Sequence, residues 1–115
     1  MDMYEDRVIL CGASSYDKLF YFNPEFDRLP EEIKEDLKVL CVLFTEDVGG
    51  TFRLEFSPDG TLHMTVESRE DDFFFDEIGS ELKIRDIRLD QRELLEQLEM
   101  YYKLFWEETN HADSN

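Results

Sequence analysis

Basic residues are the scarce component of this sequence: 12 Lys and Arg stand against 29 Asp and Glu, a formal charge of −17. A nucleic-acid binder neutralises phosphates with clustered cations. No such cluster occurs here, so DNA, RNA and anionic membrane surfaces are excluded as partners. No apolar run approaches the ~20 residues of a membrane span, and the start of the chain lacks a basic segment ahead of an apolar one. The chain therefore reads as a cytoplasmic, unexported protein. Cysteine is limited to Cys11 and Cys41, both inside apolar runs and without Cys-x-x-Cys or Cys/His spacing. They read as buried reduced thiols, with a disulfide or a metal pair as the alternative. Histidine is limited to His63 and His111. No Gly-x-Ser-x-Gly elbow, Walker loop or Gly-x-Gly-x-x-Gly is present. On these absences the reading assigns no catalytic, cofactor-binding or metal-binding residue and no cofactor.

What the sequence does hold is material for a core: 42% apolar residues, with ten Phe and five Tyr. The most informative stretch is Thr51–Ser68. Ser57-Pro58-Asp59-Gly60 is a type I turn signature, with Pro58 presetting φ and Gly60 free to become left-handed. The flanks alternate with period two. Setting Ser57 opposite Thr61 pairs Phe56 with Leu62, Leu54 with Met64 and Phe52 with Val66, all on one face. The other face carries Thr51, Arg53, Glu55, His63, Thr65 and Glu67. A slip of one residue sends the apolar set to water, so burial fixes this register.

Arg7–Cys11, closed by Gly12, reads as a strand, with loop composition over 12–15. Lys18–Phe22 reads as a second strand, stopped by Asn23-Pro24. The spacing Ile33, Leu37, Leu40, Cys41, Phe44 predicts a helix opened by Pro30 and two glutamates and ended near Glu46, ahead of Gly49-Gly50. The apolar run 39–44 keeps a central strand open as the alternative. Ile78 and Leu82 fit a short helix. Asp90 and Glu93 resemble a capping box for a last helix. Its stripe is Leu94, Leu98, Tyr101, Tyr102 and Phe105, widened by Leu95 and Trp106, and it is the expected cover for the hairpin. The fold class is α+β: an antiparallel sheet of about four strands, hairpin 51–67 central, with two to three helices on one face. Residues 1–109 form one domain, after a short arm over 1–6, and 110–115 a disordered C-terminal tail.

Three groups invite a chemical reading. His63 and its cross-strand neighbour Glu55 form a carboxylate–imidazole pair, which reads as a surface pair ahead of a general base. The acids Asp71, Asp72, Asp76 and Glu77, like Glu46 and Asp47, do not match the spacing of a calcium loop. Phe73-Phe74-Phe75 cannot all face one core. Two buried rings and one flat on the surface is the plain expectation. An aromatic anchor ringed by acids is the alternative, giving Asp72, Phe73, Phe74, Asp76 and Glu77 as a candidate partner surface.

The runs Tyr4–Ala13, Leu29–Lys34, Thr45–Gly50 and Phe75–Gly79 resemble a small family of acidic, uncharacterised proteins from Firmicutes that share a domain of unknown function. The resemblance implies a bacterial cytosolic origin and brings no activity, cofactor or site residue. The leading reading is a non-enzymatic protein-interaction or adaptor domain. The alternative is an immunity- or antitoxin-like acidic inhibitor of a basic nucleic-acid-binding protein. The expected partner is thus a protein, basic under the second reading, and a homodimer through edge strands is open.

Overall fold

The structure, a computed structural model, describes residues 6–106. The first five residues of the arm, His111 and the tail 110–115 lie outside the described residues. Strands β1 (Val8–Ser14), β2 (Leu19–Phe22), β3 (Thr51–Phe56) and β4 (Leu62–Glu67) form one antiparallel sheet in the order β2-β1-β3-β4. Helices α1 (Glu31–Val48), α2 (Glu77–Asp90) and α3 (Arg92–Tyr101) complete an α+β fold. Within the hairpin, β3 is interior and β4 is an edge.

The hairpin has the register that burial demands. Phe52 lies opposite Val66, Leu54 opposite Met64 and Phe56 opposite Leu62. The turn closes as its chemistry dictates: Gly60 donates to the Ser57 carbonyl (2.8 Å) and takes φ +86. A left-handed backbone at that point suits only glycine without strain.

β1 runs past its expected end. The loop expected over 12–15 is strand through Ser14, and the turn falls on residues 15–18. The physical reason is contact. A Cβ on Gly12 would stand 2.8 Å from the Phe52 carbonyl oxygen, so glycine here permits close strand packing and does not end the strand. The register also shifts between Ile9 and Cys11, a bulge that leaves the consecutive residues Leu10 and Cys11 both fully buried.

The segment 39–44 is helix, within an α1 that ends at Val48 with Gly49 at φ +83 as its cap. Its inward residues are Leu37, Cys41, Phe44, Thr45 and Val48. α1 covers the middle of the sheet, where Phe44 stacks on Phe52 with centroids 4.1 Å apart. α3 and the turn that follows it cover the turn end, where Tyr102 stacks on Phe56 at 4.4 Å. The cover expected from the last helix alone is therefore divided between two helices. Phe26, from a single 3-10 turn at Pro24–Phe26, fills the space beneath, 5.7 Å from Phe56. Aromatic contacts of this kind add about 0.5–1.5 kcal/mol beyond the area buried.

The C-terminal third differs most from expectation. α2 is a 14-residue helix. Ile78 and Leu82, expected inward, are exposed, and Ser80, Ile84 and Ile87 turn to the core instead. The capping box does not form: Asp90 is the last residue of α2, and Gln91 opens α3 without a side-chain cap. Two helices meet at a bend there, so Asp90 lies inside a nearly continuous helical path. In the stripe, Leu94, Leu98 and Tyr102 are buried and Tyr101 and Leu95 pack against them, but Phe105 is 57% exposed. A wide π-type turn over Tyr102–Trp106 carries Phe105 away from the sheet. The side chain of Trp106 lies outside the described set. No helix among the described residues is long and apolar enough to cross a membrane.

Candidate interaction surface

The loop from Ser68 to Asp76 joins β4 to α2 and is held at both ends. Asp72 accepts the Tyr16 hydroxyl proton at 2.6 Å, and Arg69 N donates to the same hydroxyl oxygen at 3.0 Å. The Arg69 guanidinium lies 4.2 Å from the Tyr16 ring centroid. The hydrogen bond to Asp72, followed by burial, raises the Tyr16 pKa, and the same bond lowers that of Asp72. Asp72 Oδ1 also accepts from Phe74 N (3.0 Å), which folds the chain back on itself. At the far end Asp76 N donates to the Val48 carbonyl (3.1 Å), and Asp76 Oδ1 caps α2 by accepting from Gly79 N (2.8 Å).

Phe75 is half-buried over Gly50, where a Cβ would come within 2.9 Å of its ring. The plain expectation of two buried rings and one exposed is therefore reversed. Phe73 is 90% exposed and Phe74 97%. The backbone explains this: residues 73 and 74 form a turn closed by the Asp72 carboxylate, which carries their rings outward, and only Phe75, past the turn, faces inward. Ile78, 73% exposed, follows them as the second residue of α2. Of the acids foreseen around the aromatics, Asp72 and Asp76 are committed to the loop's own hydrogen bonds. Glu77 and Asp71 are exposed.

His63 and Glu55 lie opposite each other in the register but do not form the expected pair. The Glu55 oxygens are taken by Arg7 (3.2 Å), Arg53 (3.0 Å) and Thr65 (3.0 Å). Burial pushes the Glu55 carboxyl up, but the bonds from Arg53, Thr65 and Arg7 outweigh it and hold the pKa below its ordinary value. His63 Nε2 instead meets Ser57 Oγ at 2.9 Å. Ser57 Oγ donates its one proton to Asp59 Oδ1 at 2.5 Å, so the imidazole must donate to the hydroxyl. An imidazole that donates to a serine cannot take that serine's proton, and the carboxylate orients the hydroxyl and not the ring. The set is a turn clasp. It holds Asp59 at about 2, and burial, then the Arg7 charge, lowers the pKa of His63.

Cys11 and Cys41 are free thiols, both fully buried, with sulfurs 3.8 Å apart across the β1–α1 interface. The contact with Cys41, then burial, pushes the Cys11 thiol well above its usual range. Among the described residues no group of three or more His, Cys, Asp or Glu converges as metal ligands would. Asp47, one of the acids considered, is paired with Lys83 at 2.6 Å.

These features define an α+β protein: a four-stranded antiparallel sheet packed by helices, with a braced loop that presents aromatic rings to solvent. Residues 7–110 match the family of unknown function DUF6145, and the chain belongs to that family. No curated protein and no solved structure matches it.

Proposed function

We propose that this protein is a non-enzymatic interaction domain of the bacterial cytoplasm, with Phe73 and Phe74 as its anchor. The observation that carries the reading is two adjacent phenylalanines, 90% and 97% exposed, on a loop whose backbone is tied at Tyr16, Val48 and Gly79. Burying one such ring in a partner yields about 1.5–3 kcal/mol. A braced loop avoids part of the ordering cost, ~0.5–1.5 kcal/mol per side chain. Asp71 and Glu77 beside the rings, and the −17 charge behind them, favour a partner with a cationic rim around an apolar pocket.

The same charge supports a narrower second reading, inhibition of a basic nucleic-acid-binding protein by occupation of its phosphate-binding surface. Affinity capture from the native host, with the wild-type chain and the Phe73→Ser/Phe74→Ser variant, tests the first reading. A partner held by the wild type and lost by a variant of equal melting temperature is the expected result. Capture of the same proteins by both, or turnover of a substrate in a broad hydrolase and transferase screen, overturns it. For the second reading, affinity for the captured partner falls steeply between low and physiological salt, and nucleic acid displaces the protein.

A further inference from the structure

We propose that the free edge of β2 and the groove between it and α1 form a second docking site, which takes an extended acidic peptide as an added strand. The site is separate from the aromatic loop. Asn23 N donates to the Leu10 carbonyl (2.9 Å), and the β1–β2 register then puts the inward hydrogen bonds at Tyr21 and Leu19. The main-chain N–H and C=O groups of Phe20 and Phe22 consequently point away from β1. Among the described residues no backbone group pairs with them. The other edge is different, because Glu99 of α3 reaches across to accept from Leu62 N on β4 at 2.7 Å.

Beside the β2 edge lies a groove of about 640 Å³, whose wall on α1 is the row Lys38, Val42, Thr45 and Glu46 and whose opposite wall includes Lys18, from the turn before β2, and Phe20 of β2. An added strand hydrogen-bonded to Phe20 places its paired side chain on the Phe20 face, directly into this groove, where Phe20 and Val42 offer apolar contact. The charge at the groove sets the preferred partner. Lys18 and Lys38 are exposed, and neither makes an ion pair among the described residues. Glu46 is the one acid among the described residues that line the groove, so the two unpaired lysines leave it net positive in a chain of charge −17, which selects a segment with acids flanking an apolar residue on one face.

The test is titration with a fluorescein-labelled synthetic peptide of about ten residues built around Glu-Thr-Val-Thr-Glu, followed by anisotropy and by amide exchange of the protein. Saturable binding is expected, with slowed exchange at the Phe20 and Phe22 amides. The Lys18→Glu/Lys38→Glu variant should bind about tenfold more weakly, and the peptide N-methylated at its valine should not bind. The Phe73→Ser/Phe74→Ser variant should bind as the wild type does, which separates this site from the anchor. Absence of binding, binding that leaves Phe20 and Phe22 unprotected, or equal binding of the N-methylated peptide overturns the proposal. So does a dimer of the protein alone, seen in sedimentation, that already protects those amides, because a second copy then occupies the edge.

Discussion

Two groups of aromatic residues in this protein have similar composition and opposite fates. Phe26, Phe56, Tyr101 and Tyr102 meet beneath the turn end of the sheet, with Phe56 fully buried and stacked on Tyr102. Phe73 and Phe74 stand almost wholly in water. Hydrophobicity does not distinguish the two groups; backbone geometry does. Phe56 projects from the inward side of a strand whose register is fixed by its neighbours. Phe73 and Phe74 sit on a loop whose hydrogen bonds, at Asp72 and Asp76, determine which one of three consecutive rings turns inward. Exposure there is a property of a braced structure, since the same bonds that seat Phe75 over Gly50 hold the other two out.

The largest expected effect is on the buried group. Phe56→Ala removes a ring stacked on both Phe26 and Tyr102, and should cost about 3–5 kcal/mol of stability in urea unfolding. A loss below ~1 kcal/mol would mean that the cluster is loosely packed and that the contrast with the loop is one of degree.

The second effect acts from the other side of β3. Glu55→Gln deprives Arg7 and Arg53 of their shared carboxylate and should cost about 1–3 kcal/mol at neutral pH. Its sign with pH follows from linkage. The folded pKa of Glu55 lies below the ordinary 4.5, so its contribution is present above that value and is lost as pH falls through the folded pKa. Wild type and Glu55→Gln should therefore converge in melting temperature on acidification below about 4.5. A constant difference down to strong acid would contradict the clamp.

A smaller effect sits at the base of the loop. Asp76→Ala removes the cap on Gly79 N and should cost ~1 kcal/mol. The loss should be local, read as faster amide exchange at Gly79 and Ser80 with Phe56 and Leu62 unchanged. Faster exchange throughout would show that loop and core unfold together.

The contrast also marks what was legible in the sequence. The hairpin register was, because alternation and the Ser57–Gly60 turn point the same way. So was α1, where the Pro30-Glu31-Glu32 start, the apolar spacing and Gly49 agree, although the run 39–44 taken alone also fitted a strand. Gly12 misled because a glycine that ends a strand and one that lets two strands approach look alike until the neighbour, Phe52, is known. Asp90 misled because a residue able to cap a helix also fits inside one. Ile78 and Leu82 were spaced for burial, yet the partner face was taken by Ser80, Ile84 and Ile87. At the candidate site, the run Phe73–Phe75 with acids on both sides was visible. The contact that braces it was not, because Tyr16 lies 56 residues from Asp72 in the chain. Nothing local in the sequence joins those two residues.

The smallest effect is the most discriminating. Phe73→Ser/Phe74→Ser removes two of the chain's ten phenylalanines, and on composition alone it should damage the core. With the rings 90% and 97% exposed, the stability change should instead stay within about 0.5 kcal/mol. Thermal unfolding of the variant beside the wild type checks this, with Tyr16→Phe as the companion. That change deletes the hydroxyl bonded to Asp72 and Arg69 while leaving both rings in place. If serine at 73 and 74 is silent while Tyr16→Phe speeds amide exchange at Asp72 and Phe74, the bracing and not the rings is what the fold requires. The rings are then free to serve a surface outside the chain. If the serine variant melts several degrees lower, the phenylalanines pack on the protein itself in solution, and the anchor assigned to them is lost.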